Sequence, residues 1–271
     1  MEDSTNPTAA PARVFVIVAA RDEADRIAAT LGALARTFPS APLWVADDGS
    51  RDATAAIAEA AGARVVRGTH PIGKGGAVTL AARAALRDLA GERPDRGAEA
   101  PREPAGERPD RGGAGTPLPV EADRLEGGEP VAVLCDGDLG DSAARLGGLV
   151  EAVRQCDADL AVAVFARRVG GGVGLAVGFA RWAIRRRCGL ELSAPISGQR
   201  ALRASLLSEV LPFAHGFGME VGMTIDATRA GARVGEVDLD LSHRATGRTL
   251  GGFAHRGRQL VDFVRAYLAR R

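Results

Sequence analysis

Two aspartates one residue apart, Asp136 and Asp138, end the apolar run in VAVLCDGDLGD. Carboxylates this close repel each other unless a cation lies between them. Hard divalent ions such as Mg2+ and Mn2+ take oxygen ligands and bridge readily to phosphates. A solvated acidic turn would show the same letters. What favours a metal is the position of the pair at the end of a strand. A second acidic pair, Asp47 and Asp48, ends VADDGS. Acids there can accept hydrogen bonds from the base or ribose of a nucleotide, or open a helix as a capping turn with Ser50 or Asp52. Both roles fit, because different residues of the turn would serve them.

Lys74 stands out in another way. Lysine and arginine together number 35, and Lys74 is the one lysine. It lies in PIGKGGA, flanked by Gly73, Gly75 and Gly76 at the start of a helical pattern. Backbone N–H groups at a helix start and a compact ammonium together favour a phosphate, and arginine does not mimic that charge. The loop lacks the GxxxxGK[ST] pattern of a Walker loop.

These residues need elements to hold them. VFVIVAA (14–20) reads as a buried strand, and 23–37 as an amphipathic helix with Asp22 as its cap. PLWVADDGS (42–50) is a second strand and turn, 52–61 a helix closed by Gly62, 63–68 a third strand, and 74–89 a helix entered through Gly73. After 130–141 come a helix over 144–154, a strand over 159–168 and a helix over 175–187. ISGQRALR (196–203) leads into a helix through Leu211. A helix over 218–230, a strand and loop over 232–247 and a helix over 253–270 complete the chain. The alternation predicts an α/β fold: one mostly parallel, Rossmann-like sheet flanked by helices, as a single domain. Ligands of such sheets bind beyond the carboxyl ends of the strands, and all three motifs fall on that edge.

Residues 1–12 are polar and proline-rich and read as a disordered arm before a domain over 13–271. Residues 91–129 interrupt that domain. The octapeptide AGERPDRG occurs at 90–97 and again at 105–112, and this composition cannot bury a core. We read the segment as a disordered insertion.

Bulk properties exclude several classes. The 271 residues are 46% hydrophobic and 25% charged, with a net charge of +1, so no global field points to nucleic acid. The three cysteines form no CxxC pair, which argues for a reducing compartment. Neither a signal peptide nor a transmembrane run is evident, so a cytoplasmic location is expected. A peripheral membrane contact through 175–187 is left open, as is a homodimer.

The pieces VIVAARDEADRI, VADDGSRDAT, GKGGAV and CDGDLGD, in this order, resemble the family-2 glycosyltransferases of GT-A fold. Within that group, VAVFARRVGGG and ISGQRALR resemble segments of the polyprenyl- (dolichyl-) phosphate sugar transferases. GFGMEVGMTIDATRAG followed by LSHRATGR is closer to the glucosyl-3-phosphoglycerate synthases. The resemblance implies a metal-dependent hexosyltransferase that uses a nucleotide-diphosphate sugar and Mg2+ or Mn2+. It assigns the nucleotide-sugar site to Ala20, Asp22, Glu23, Asp47 or Asp48, Lys74 and Asp136. Asp136 and Asp138 would hold the metal, with His243 completing its shell, and Asp138 would share the catalytic role with Glu220. Arg167 and Arg200 would face the acceptor.

Two departures matter. Gly140 stands where the lipid-linked enzymes often carry glutamine, and the chain ends in an arginine-rich helix rather than membrane helices. No ED dipeptide, the usual base site of inverting members, is evident beyond Glu2-Asp3 in the N-terminal arm. That favours an acceptor bearing a phosphate, such as a polyprenyl phosphate or a phosphoglycerate, with Glu220 as the candidate base if one is needed. Arg167, Arg168, Arg200 and Arg203 could bind such an anion. A sugar-nucleotide pyrophosphorylase or a dinucleotide-binding dehydrogenase would need a glycine-rich loop after the first strand, and AARDEAD lacks one. A non-catalytic nucleotide-binding or scaffold protein on the same fold is the remaining alternative.

Overall fold

The structure, a computed structural model, describes residues 14–68, 70–92, 128–165, 175–242 and 250–270. Residues 1–12, most of the 91–129 segment, Arg167, Arg168 and His243 lie outside the described residues.

Seven strands form one sheet: β1 (Val14–Ala20), β2 (Leu43–Asp47), β3 (Arg64–Arg67), β4 (Val131–Asp136), β5 (Leu160–Phe165), β6 (Arg200–Arg203) and β7 (Val234–Leu239). Their order is β3-β2-β1-β4-β6-β5-β7, and every pairing is parallel except those of β6. Eight α-helices accompany them among the described residues: α1 (Ile27–Thr37), α2 (Thr54–Ala60), α3 (Lys74–Leu89), α4 (Gly147–Arg154), α5 (Leu175–Cys188), α6 (Ala204–Glu209), α7 (Met219–Arg229) and α8 (Leu250–Ala269).

The sheet is buried on both faces, which is why its inner strands read as unbroken apolar runs. Alternate residues of β1 serve opposite cores. Val16, Val18 and Ala20 pack with Ile27, Leu31 and Leu34 of α1 and Leu149 and Val153 of α4. Phe15 and Ile17 pack with Ala77, Ala81 and Ala85 of α3, and Leu207 and Met223 extend that core. A smaller third core joins α5, α7 and α8 through Ala183, Ile184, Val221, Ile225 and Phe263.

Two sequence expectations are corrected. First, α1 starts at Ile27, and Asp22 does not cap it. Asp22 adopts a left-handed backbone (φ 56°), and its Oδ1 accepts from the N–H of Arg51. The free N–H groups of this stretch are satisfied from the other loop: Asp22 N donates to Ser50 Oγ, Glu23 N to Thr54 Oγ1 and Ala24 N to Asp52 Oδ2. Second, ISGQRALR contains a strand, β6, wedged antiparallel between β4 and β5. Four residues rich in Ala, Leu and Arg carry a helical propensity, and the two open strand edges override it. A smaller difference lies after β4, where a 3-10 segment (Gly140–Leu146) precedes α4.

Candidate active site

The carboxyl ends of β1, β2 and β4 share one edge. Because β6 is antiparallel, it delivers its amino end to the same edge. Three loops and the residues before β6 therefore converge there.

The loop after β2 is built by its two aspartates. Asp47 Oδ1 accepts from Ser50 N at 2.8 Å, and its other oxygen pairs with Arg67 Nε at 3.2 Å. Asp48 Oδ1 accepts from Ile72 N and Gly73 N, both at 2.8 Å, and Arg21 Nη1 lies 3.3 Å from Oδ2. Both carboxylates are buried. Asp48 thus fixes the turn that launches α3, and Ala20 contributes its carbonyl to Asp48 N. Asp22 lies exposed beside this turn, and Glu23 is half-buried.

Lys74 opens α3 after Gly73, whose positive φ (80°) suits glycine. Its Nζ lies 2.6 Å from Asp136 Oδ1 and 2.8 Å from Glu220 Oε1. Burial opposes the ammonium's charge, but the Asp136 and Glu220 carboxylates outweigh it and hold the pKa above the ordinary lysine value. Lys74 is therefore a fixed cation at the site. The nearby Cys135 thiol is pushed up by burial and then by Asp136, so it stays protonated and inert.

Asp136 ends β4, and Asp138 follows one turn residue later. That turn is held from α1 by Thr30, which is fully buried. Thr30 Oγ1 donates to Gly137 O and accepts from Gly140 N, both at 2.8 Å. Arg26 Nη1 donates to Asp138 O at 3.0 Å. Opposite, Gln199 Nε2 donates to Asp136 Oδ2 at 2.8 Å. The β4–β6 register pairs Leu134 with Arg200. Continuing it by two residues sets Gly198 against Asp136. A Cβ on Gly198 would lie 2.7 Å from both Asp136 Oδ2 and Lys74 Nζ, so only glycine fits without displacing the pair.

Glu220 lies in the first turn of α7 and is 3% exposed. Its carboxylate faces Lys74 rather than open solvent. Arg200, expected to face the acceptor, is instead fully buried. Its guanidinium donates to Ser197 O, Pro195 O and Thr224 Oγ1, and burial lowers its pKa to about 10. It braces the segment carrying Gly198 and Gln199 and has no surface to offer a ligand.

The structure thus brings together Lys74, Asp136, Asp138 and Glu220, with the Asp22, Asp47 and Asp48 loops alongside. Arg167 and His243 lie outside the described residues. Sequence reading missed Thr30, Gly198 and Gln199. A buried threonine in α1 gives no signal, whereas a Gly-Gln pair just before a strand is a recoverable one.

Asp136, Asp138, Glu220 and Lys74 carry a net charge of −2 when ionised, with oxygen donors on two residues of one turn. That donor chemistry fits a hard divalent cation. Among the described residues no group of three or more His, Cys, Asp or Glu could by itself enclose a metal ion. Ligand oxygens from a diphosphate would fill such an open site.

Residues 15–90 match the model described as Glycosyl transferase family 2. An undecaprenyl-phosphate mannosyltransferase from Micrococcus luteus is 27% identical over 280 residues, covering 96% of each chain. The glucosyl-3-phosphoglycerate synthase of Mycobacterium tuberculosis, crystallised with Mn2+, UDP-glucose and phosphoglyceric acid, is 25% identical. It superposes with a TM-score of 0.62 over 96% of this chain and 79% of its own. A crystal structure described only as a mycobacterial protein is 26% identical, with a TM-score of 0.65 over 96% of this chain and 74% of its own.

The chain is thus similar to glycosyltransferases: residues 15–90 match the family-2 model, and its sheet has the GT-A-like arrangement of the solved relatives.

Proposed function

We propose that this chain is a glycosyltransferase that moves a hexose from a nucleotide-diphosphate sugar to a phosphate-bearing acceptor, using Mg2+ or Mn2+, in the cytoplasm. The observation that carries the reading is the ion-paired Lys74–Asp136–Glu220 set, half-buried at the carboxyl edge of the sheet, next to Asp138. The relatives agree with it: one is named for a lipid phosphate, and another was crystallised with UDP-glucose and phosphoglyceric acid.

In the reaction the bond from the sugar C1 to the β-phosphate oxygen breaks, and a bond from C1 to an acceptor oxygen forms. Negative charge collects on the departing nucleotide diphosphate. Asp136 and Asp138 would hold a divalent ion, which would supply Lewis-acid stabilisation of that charge. Lys74, already protonated and held by two carboxylates, offers a preorganised positive end to the same phosphates. The N–H groups at the start of α3, aligned by Asp48, add to it. Ala20, Asp22, Glu23 and Asp48 border the edge along which base and ribose would lie, and the fully buried Asp47 braces that turn through Ser50 and Arg67. Glu220 fixes Lys74. Where a phosphate oxygen of the acceptor attacks C1 it is already anionic and no residue has to remove a proton; where a hydroxyl of a phosphate-bearing acceptor attacks, its proton passes to a base, for which Glu220 is the candidate. The same reading assigns a metal-ligand role to His243 and an acceptor role to Arg167, both of which lie outside the described residues.

The test offers UDP-glucose or GDP-mannose with Mn2+ to the protein together with 3-phosphoglycerate, undecaprenyl phosphate, or their dephosphorylated forms. Sugar found only on phosphorylated acceptors supports the proposal. Transfer to the dephosphorylated forms at equal rate contradicts the acceptor class. No nucleotide release with any acceptor contradicts the donor chemistry as well.

A further inference from the structure

The large apolar side chains most exposed among the described residues are Leu175 (71%), Trp182 (50%), Val261 (48%) and Leu268 (44%). All four lie on α5 and α8. These helices pack against each other and against α7 through Ala183, Ile184, Val221, Ile225 and Phe263. Leu175 and Trp182 are seven residues apart, so they share one stripe of α5; Val261, Arg265 and Leu268 share one stripe of α8. The stripes meet at an aromatic seam, where the Trp182 and Tyr267 rings are 5.0 Å apart and Phe179 lies 5.5 Å from Trp182. Arg187 sits 3.9 Å over the Tyr267 ring.

The charge on these helices is one-sided. Together they carry seven arginines against a single acid, Asp262. Asp262 is buried and accepts from Phe217 N. Arg185, Arg186 and Arg265 are exposed, and Glu191, on the following loop, pairs with Arg185. The whole chain is nearly neutral, so the remainder holds the balancing acids. A half-exposed tryptophan, aliphatic side chains and arginines on one face form the pattern of an interfacial surface.

We infer that the α5–α8 face docks on the surface of an anionic lipid bilayer. Charge complementarity selects this occupant over a second copy of the chain. A two-fold interface would set this basic face against itself, arginine facing arginine. An anionic headgroup layer instead satisfies the arginines while Leu175, Trp182, Val261 and Leu268 enter the headgroup boundary. α7 lies directly beneath, and its first turn holds Glu220, so docking brings the candidate site close to the membrane plane. The inference does not depend on which sugar is transferred. Where the acceptor is a phosphate, docking favours one carried on a lipid.

The test is co-sedimentation of the full chain with vesicles of equal parts phosphatidylglycerol and phosphatidylcholine, against phosphatidylcholine alone. Tryptophan emission is read in parallel. Trp44 is buried, so a blue shift reports Trp182. We expect binding to the anionic vesicles only, weakened by salt. Arg186→Gln and Arg265→Gln should each lower the affinity about fivefold. Trp182→Ser should lower it further and abolish the blue shift. All three should keep the wild-type melting temperature and nucleotide affinity, and the two arginine variants test the idea even if Trp182→Ser fails to fold. Equal binding to neutral vesicles, binding indifferent to all three variants, or no vesicle binding by a protein that still binds nucleotide would each overturn the proposal. So would a dimer, seen by light scattering, that Trp182→Ser dissociates.

Discussion

Gly198 has no side chain, yet it constrains the site tightly. The atoms nearest a methyl group there would be the side-chain ends of Lys74 and Asp136. These ends can move aside, so Gly198→Ala should leave the melting temperature almost unchanged. The displaced ammonium and carboxylate should nevertheless lower the transfer rate roughly tenfold, equivalent to about 1.4 kcal/mol of transition-state stabilisation. Thr30 makes the complementary case. Thr30→Val keeps the shape but leaves Gly137 O and Gly140 N without a partner, at a cost of about 1–3 kcal/mol. Metal-dependent nucleotide binding should weaken with it, because the Asp136–Asp138 turn loses its tie to α1. Arg200 separates bracing from acceptor contact. As a brace, Arg200→Met should lower the melting temperature strongly, by about 3 kcal/mol or more in stability, since three buried acceptors lose their donor. A residue that only touched the acceptor would raise KM and leave the melting temperature alone. Thermal unfolding and steady-state kinetics on the same variant decide between them.

Among the elements, β6 shows most clearly what sequence could and could not reveal. The long strands β1 and β4 are legible because burial on both faces forces continuous apolar runs. Lys74–Leu89 is legible to the residue because a glycine turn and a regular apolar spacing frame it. β6 is only four residues long, and its strand character comes from neighbours distant in sequence. The start of α1 was misplaced for a related reason, since the groups that satisfy its entry belong to the next loop. The placement of Lys74, Asp136 and Asp138 on one sheet edge could be read from strand position. The burial of Arg200 could not, because an arginine near a glycine-rich segment reads the same whether it braces or binds.

Asp159 joins the starts of β5 and β7 to the end of β6. It accepts from the Arg233 side chain and backbone and lies 3.2 Å from Arg203. The hydrogen bond from Arg233 outweighs partial burial and holds its carboxyl below the usual 3.8. A carboxyl lowered on folding contributes stability above its unfolded pKa and loses it as pH falls through the folded value. Asp159→Asn should therefore destabilise the protein at pH 7, and the difference from wild type should close below about pH 4. Because Arg233 is half-exposed, the effect at pH 7 should be only about 0.5–1 kcal/mol. Urea unfolding at the two pH values measures it.

At the scale of the whole molecule, one sheet edge gathers Lys74, Asp136, Asp138 and Glu220, and the small α5–α7–α8 core contributes Glu220 from one side. Gly75 marks a close join between the two halves. A Cβ there would lie 1.9 Å from Ala214 O, a backbone atom that cannot rotate away. Gly75→Ala should therefore cost stability as well as activity, about 1–3 kcal/mol, in contrast to Gly198→Ala.

The most direct measurement is calorimetric titration of UDP- and GDP-sugars into the protein with and without Mn2+, for the wild type and for Asp138→Ala. The account predicts one nucleotide sugar bound in the presence of metal, with that binding lost in the variant. Binding of no nucleotide sugar under either condition would contradict it, and metal-dependent binding that survives in Asp138→Ala would remove Asp138 from the site.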